Sequence, residues 1–284
     1  MTTIKWLVVA WMLFIHQADA RTFTMMDGST LEGEIQDYDL RQDRLTIRSS
    51  SGRKVIKADK LDNESYRYVM NWGAAKQFSN PDKFRLTMYG PEELNSWIKD
   101  IWLRLPGKLQ PWNTHNLSFS RIGYDLKMIN DTGYDLENIQ VKYCLFYEQE
   151  RMNHELEEKV NEIIVRPCLD EISILPNEFT ERMSLKSIVL RDVNIIYVKT
   201  SGQWWVEVKE YLEGEGSTLR SEFIGAMLRI ELVDPDGNIV RHEDKYPKYL
   251  DDGLGYDWDA LEWVEPTEEN TAWEDDFLDE ISDA

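Results

Sequence analysis

Cysteine, histidine and basic residues are all scarce in this chain, and each shortage narrows what the protein can do. Cysteine occurs twice, at Cys144 and Cys168, with no C-x-x-C pair and no histidine close by. Spacing therefore offers neither a zinc site nor a dithiol redox centre. Histidine occurs four times, at His16, His115, His154 and His242, far apart in the sequence. No H-E-x-x-H, G-x-S-x-G or P-loop pattern accompanies them, so no catalytic, metal or cofactor residue is assigned. The 32 Lys and Arg face 53 Asp and Glu, for a formal charge of −21. Without a basic stripe to neutralise phosphates, nucleic acid is not an expected partner.

Long apolar runs are missing as well. Trp6–Ile15 is apolar throughout, about half of the roughly 20 residues that cross a bilayer as a helix. It follows Lys5 and precedes Ala18-Asp19-Ala20, an A-x-A signal just before Arg21. Residues 1–20 read as a secretory signal peptide, the alternatives being an uncleaved anchor or a buried helix. Cleavage would remove His16, and no Cys stands behind it to take a lipid. The mature chain is expected to be exported, with no membrane attachment. In an oxidising compartment Cys144 and Cys168 can form one disulfide across a short loop, worth about 3 kcal/mol by loop-closure entropy. Two independent free thiols are the other reading, because a large core does not need the staple.

What is present is enough for a core. Subtracting the leader (284 − 20) leaves 264 residues, room for one large domain or two smaller ones. Eleven Trp and thirteen Tyr suit pleated sheets, where large rings pack well. The acid is concentrated at one end. Asp251–Ala284 holds fourteen Asp or Glu and no Lys or Arg, so the rest of the chain carries −7 (−21 + 14).

Four regions follow the leader. In the first, 21–78, Leu31, Gly33 and Ile35 share one strand face, as do Leu45 and Ile47 in the next strand. Asp27-Gly28 and Ser51-Gly52 mark hairpin turns. Asp62 is placed to cap a helix by accepting from the backbone N–H of Glu64 or Ser65. Leu61 and Tyr66 occupy staple positions, and Tyr66, Val69 and Met70 recur at helical spacing. The second region, 79–115, is a connector. There Pro91 follows Gly90, Glu92 and Glu93 come next, and Leu94, Trp97, Ile98, Ile101, Trp102 and Leu105 repeat at i, i+3, i+4, i+7, i+8 and i+11. That spacing predicts an amphipathic helix stopped by Pro106-Gly107, packed on a neighbouring domain or offered to a partner.

The third region, 116–250, alternates like sheet. Tyr124, Leu126 and Met128 form one face. Ile139, Val141, Tyr143, Leu145 and Tyr147 form another, with Gln140, Lys142 and Cys144 opposite. Leu228, Ile230 and Leu232 alternate with Arg229 and Glu231, and Asp236-Gly237 turns the chain into Ile239-Val240-Arg241. Residues 155–159 are expected to form a short helical turn. Two packed antiparallel sheets are predicted. The fourth region, 251–284, interleaves its acids with Tyr256, Trp258, Leu261, Trp263, Trp273 and Phe277. It reads as a partly disordered acidic–aromatic tail, its first part packed on the sheets or the whole of it folding onto a partner.

Two resemblances carry weight here. R-T-F-T, D-G, two alternating strands, S-G-R-K-V-I, then Ala58-Asp59-Lys60-Leu61 running into Tyr68-Val69, resembles the SLA1 homology domain 1 family over about 21–72. That resemblance implies a small SH3-like barrel, which in endocytic adaptors binds Asn-Pro-Phe peptides and which also occurs in exported bacterial proteins. Ser65 stands where the family commonly has an acid, so the fold is carried over and the ligand is not. The stretch Y-D-L-K-M-I-N-D-T through Y-C-L-F-Y-E-Q, with the later G-A-M-L-R-I-E-L-V-D-P-D-G, is similar to immunoglobulin-like sandwiches found beside such barrels. The resemblance implies no activity. It places the protein in the periplasm or outside a bacterial cell.

The remaining candidates concern binding. Asp234-Pro235-Asp236-Gly237-Asn238 opens like a calcium loop, but Ile239 and Lys245 stand where an EF-hand needs Gly and Glu, so a hairpin is expected. Trp204 falls on a strand face with Val206 and Val208, leaving Trp205 with Glu207 and Lys209 as a sugar-stacking platform, an interface anchor or an edge cover. Trp205, Trp258, Trp263 and Trp273 are the candidate binding residues. The expected protein is mainly β and non-enzymatic, binding an unidentified protein or peptide or serving a structural role. The alternatives are carbohydrate recognition by sandwich aromatics and a hydrolase working through paired carboxylates.

Overall fold

The computed structural model describes residues 20–153, 158–199, 205–207, 218–248, 250 and 261. Among the described residues the protein is mainly β, with 67% in strands and 9% helical, built from several antiparallel sheets. It divides into two compact units at Gly73/Ala74, a boundary that falls inside a helix rather than in a linker.

The first unit is a meander of β1 (Arg21–Thr24), β2 (Thr30–Asp39), β3 (Arg44–Ser49) and β4 (Gly52–Lys57), paired in that order. Both expected hairpins form, with Gly28 at φ 81° and Gly52 at φ 107°, conformations a Cβ resists. The core is Phe23, Ile35, Tyr38, Leu45, Ile47, Leu61 and Val69. A bulge between Ile35 and Asp37 explains how both Ile35 and Tyr38, three residues apart, reach one face of β2. The strands are not closed into a barrel; a single bridge joins Met25 to Leu61. Asp43 ties the unit together. It accepts from the Tyr38 hydroxyl at 2.9 Å and from the Asp59 amide at 2.9 Å.

A 3-10 turn, Ala58–Lys60, leads into α1 (Asn63–Phe78). Asp62 caps the helix as expected, accepting from the Ser65 N–H at 2.8 Å. The buried face differs from the expected one. Ser65 and Val69 are buried while Tyr66 is exposed, so the staple position at Tyr66 points outward. Ser65 is inside for a specific reason: its hydroxyl accepts from the Thr24 amide at 3.0 Å. Tyr68 packs edge-on to Phe23 at 6.0 Å and carries the Arg21 guanidinium 3.8 Å above its ring.

The second unit contains the largest correction. The expected helix at 91–105 is absent, and the connector is instead most of β5 (Phe84–Leu103) and the start of β6 (Trp112–Asn130), paired antiparallel along their length. The helical spacing arose because apolar residues lie on both faces of one strand. Ile101 is buried with Trp97 and Leu103 packed beside it, whereas Leu94, Ile98 and Trp102 are exposed. Bulges in β5 at Tyr89/Glu92 and Glu93/Asn95 interrupt its alternation, while at Ile101/Trp102 the extra residue lies on β6.

Further along come β7 (Leu136–Asn153), β8 (Glu158–Leu175), β9 (Phe179–Ser184) and β10 (Ile188–Ile195). They are followed by β11 (Tyr197–Lys199), β12 (Trp205–Glu207), β13 (Thr218–Leu219), β14 (Ser221–Val233) and β15 (Ile239–Tyr246). One sheet runs β13-β10-β6-β5 with β9 also on β6; another runs β15-β14-β7-β8; β11 and β12 pair alone. The helical turn expected at 155–159 does not form at its C-terminal end, where β8 starts at Glu158; residues 154–157 lie outside the described residues. Tyr124, Leu126 and Met128, and the β7 set Ile139 to Tyr147, are buried as their alternation required.

The opposite face of β7 is not the polar, solvated surface that Gln140, Lys142 and Cys144 suggested. Cys144 and Phe146 are buried there beneath Leu250, with Val165, Ile224, Met227 and Leu261 around them. Arg229 and Glu231 of β14 are buried too, held in pairs with Glu243 at 2.9 Å and Lys142 at 2.6 Å. The loop after β6 is organised by buried Asn130. Its amide donates to the carbonyls of Tyr134, Leu175 and Pro176, and its oxygen accepts from the Thr132 amide and hydroxyl.

Candidate functional site

The β15-β14-β7-β8 sheet places the two cysteines on adjacent strands, with Cys168 opposite Tyr143 and Cys144 opposite Pro167. Residues that face each other across a ladder share a side, so Cys168 lies on the Tyr143 side and Cys144 on the other. Both are buried free thiols, and the expected alternative of a bridge between them is not what the structure holds. Burial, and then its neighbour Cys168, push the Cys144 thiol up to about 12. Burial raises Cys168 as well, which leaves both in the unreactive thiol form.

His115 and His242 fill structural places. His115, in β6, is buried and its Nδ1 lies 3.0 Å from the Thr114 hydroxyl. Desolvation lowers its pKa to about 4. His242, in β15, contacts the Phe78 carbonyl through Nε2 and packs on the rings of Phe78 and Phe84 at 4.8 and 5.0 Å. His154 lies outside the described residues. Among the described residues no three His, Cys, Asp or Glu side chains are grouped to hold a metal, and no helix is long and apolar enough to cross a membrane. The Asp234 loop is a hairpin. Its carboxylate accepts from the Asp236 and Asn238 amides and from the Asn238 side chain, so its oxygens are already used.

Of the candidate tryptophans, Trp205 opens β12 opposite Lys199. Trp204, Trp258, Trp263 and Trp273 lie outside the described residues, whereas Leu261 packs on the Cys144 face. The coplanar ring pair among the described residues, Trp97 on Phe119 at 5.1 Å and 11°, belongs to the core of the β5–β6 sheet. It offers no flat exposed platform for a sugar.

The surface that does stand out is the outer edge of β5. This strand closes one side of its sheet, so β6 satisfies one row of its backbone groups and no described strand pairs with the other. Ile98 is 75% exposed and Trp102 59% exposed on its outward face. Asp100 lies between them and accepts from the Asn116 side chain at 2.6 Å. Trp112 faces Leu103 on the neighbouring strand and carries Lys108 4.3 Å over its ring. Unpaired backbone beside exposed apolar side chains is the chemistry of strand addition: hydrogen bonds supply affinity and alternate side chains supply specificity. The sequence held the signal, since Trp97, Ile98, Ile101 and Trp102 are strand-favouring residues, but their spacing was read at the helical period.

No family model and no curated protein matches the chain. A crystal structure from Akkermansia muciniphila aligns over 68% of this chain and 90% of its own at 11% identity. Its TM-score of 0.21 is too low to support an argument about fold or function.

Proposed function

We propose that this chain is an exported, non-enzymatic protein-binding or structural protein, with an SLA1-homology-like SH3-type module at 21–78 and an immunoglobulin-like sandwich in its second unit. The first assignment is supported by the β1–β4 meander, the Met25–Leu61 bridge and the Asp62-capped helix. The second is supported by two multi-stranded antiparallel sheets that touch through Tyr124 and Phe223 at 5.3 Å and through the Tyr143 hydroxyl and the Lys186 amide at 2.9 Å. Export rests on the leader-like residues 1–20.

The observation that carries the reading is the edge of β5, which no described strand pairs, with Ile98 and Trp102 exposed. A single-domain surface seldom leaves two large apolar side chains on an open strand edge without a use for them. The test is partner recovery by the full chain and by an Ile98→Glu, Trp102→Glu variant. The variant should recover at least about tenfold less of any specific partner, the effect of losing about 1.4 kcal/mol. Equal recovery would remove β5 from the binding surface.

A further inference from the structure

We propose that the outer edge of β4 takes the C-terminal segment of this chain as an added strand. Asp275-Asp276-Phe277-Leu278-Asp279 would lie parallel to Arg53-Lys54-Val55-Ile56-Lys57 and in register with it. This edge is separate from that of β5, and the reading does not depend on it.

β4 is the last strand of its sheet, and no described strand pairs with its outer side. On its inner side Arg53 stands opposite Arg48 and Lys57 opposite Arg44, like charges that destabilise a cross-strand pair. Arg48 and Arg44 have Glu34 and Asp39 across from them on β2. Arg53 and Lys57 have only the open side on which to meet an acid. Among the described residues no carboxylate pairs with Arg53, Lys54 or Lys57. Val55, between them, is 56% exposed. Residues 21–73 hold nine Lys or Arg and nine Asp or Glu, so the surroundings of the stripe are neutral and do not repel an acidic segment as the rest of the chain would.

The strand that completes this edge is defined by what lies along it. Neighbours in a parallel ladder sit side by side, so the sequence Arg-Lys-Val-Ile-Lys calls for acid, acid, apolar, apolar, acid. That order occurs once in the chain, at Asp275–Asp279, which lies outside the described residues. In parallel register Asp275 meets Arg53, Asp276 meets Lys54, Phe277 meets Val55, Leu278 meets Ile56 and Asp279 meets Lys57. All five pairs are complementary. The antiparallel direction sets Asp276 against Ile56 and Leu278 against Lys54. A slip of one residue either way sets an acid against Val55 or Ile56 and an apolar side chain against a lysine. Cations on an edge strand ordinarily deter strand addition. Here they deter every strand except one that carries acids in the matching places.

The test is oxidation of the full chain with copper phenanthroline after pairs of cysteines are introduced. Val55→Cys, Phe277→Cys should form a disulfide, because side-by-side residues on adjacent strands have Cβ atoms about 5 Å apart. Arg53→Cys, Asp275→Cys should link as well. Arg53→Cys, Asp279→Cys should not, since Asp279 lies about 13 Å further along the strand. The unsubstituted chain is the control, because Cys144 and Cys168 are buried. Linking should weaken as salt screens the charges. Adding Lys54→Glu, Lys57→Glu to the Val55→Cys, Phe277→Cys chain should slow it at least about tenfold, and Asp276→Lys, Asp279→Lys should restore it. A bond within one chain and a bond between two both report the pairing, and electrophoretic mobility tells them apart.

An unlinked Val55→Cys, Phe277→Cys chain with the parent's circular dichroism spectrum would overturn the proposal. So would equal linking of Arg53→Cys to Asp275→Cys and to Asp279→Cys. If no pair links but a synthetic peptide of residues 274–284 binds the full chain and loses affinity in Lys54→Glu, Lys57→Glu, docking of the attached segment is overturned and β4 stands as an edge for an acidic peptide from elsewhere.

Discussion

His115 gives the sharpest test of the second unit, because its environment fixes both the sign and the size of a pH effect. It is 8% exposed, between Ile101 and Ile195 on the flanking strands, and burial lowers its pKa from 6.5 to about 4. The unfolded chain therefore binds this proton more readily than the folded one. Stability contributed by the neutral ring is fully present above about pH 6.5 and is lost as pH falls towards about 4. The two pKa values give a loss of about 0.2 kcal/mol at about pH 7, about 2 kcal/mol at about pH 5 and about 3 kcal/mol at about pH 4. Urea unfolding of the full chain and of His115→Gln at about pH 7 and about pH 5 isolates this group from the carboxylates, which titrate alike in both. The full chain should lose about 2 kcal/mol more than the variant between those two conditions. Parallel pH profiles, or an imidazole proton resonance titrating near 6.5 in the folded protein, would refute the reasoning.

Two other perturbations address the elements that fix strand register. A Cβ at Gly33 would lie 2.5 Å from both the Arg48 carbonyl oxygen and Ile47 Cγ2. Gly33→Ala should therefore cost about 1–3 kcal/mol and shift amide resonances along β2 and β3; an unchanged spectrum would contradict the close approach. Asn130→Ala leaves the carbonyls of Tyr134, Leu175 and Pro176 and the Thr132 amide without their buried partner. A loss of about 3 kcal/mol in urea unfolding is expected, and a loss near zero would mean that water replaces the side chain easily.

The parts of the fold that were legible in sequence are those where one physical signal acts alone. Leu45 and Ile47, or Tyr124, Leu126 and Met128, alternate against polar neighbours and end up inside. Gly28 and Gly52 sit at turns that need positive φ, and Asp62 caps the helix that follows it. Where two signals compete, the sequence misled. In β5, apolar residues on both faces and two bulges reproduced a helical spacing, and the resulting edge, with Ile98 and Trp102 outside, was hidden inside a supposed helix. Ser65 looked like a missing acid because its role is a hydrogen bond to Thr24, forty-one residues away, which no local pattern encodes. Asp43 and Asn130 are ordinary turn residues in sequence, and their networks exist only once distant carbonyls and amides arrive.

The clearest departure from alternation is the outer face of β7 and β14, and it leads to a last prediction. Gln140, Lys142, Arg229 and Glu231 mark that face as solvent-facing in sequence, yet Arg229 and Glu231 are buried and paired, and Cys144 and Phe146 beside them are covered. A sheet face carrying ions is stable under cover only if each charge keeps a partner, which the Lys142–Glu231 and Arg229–Glu243 contacts provide. The apolar part of the cover comes from beyond β15: Leu250 is 5% exposed and Leu261 packs on the same cluster. Replacing both by Ala removes about six methylene-sized groups from that cluster, and each full Leu→Ala change in a core costs about 2–5 kcal/mol. Since Leu261 is only partly buried, the pair should cost about 3–5 kcal/mol in total. The specific readout is Cys144. Its thiol is pushed up to about 12 by burial and should be inert to iodoacetamide in the intact chain. Leu250→Ala, Leu261→Ala should label Cys144 at least about tenfold faster under native conditions, since access follows the population of the opened face, while Cys168 on the other side of the ladder keeps its protection. If both cysteines label together, the double variant has simply unfolded. If neither changes, the segment after β15 does not hold this face closed.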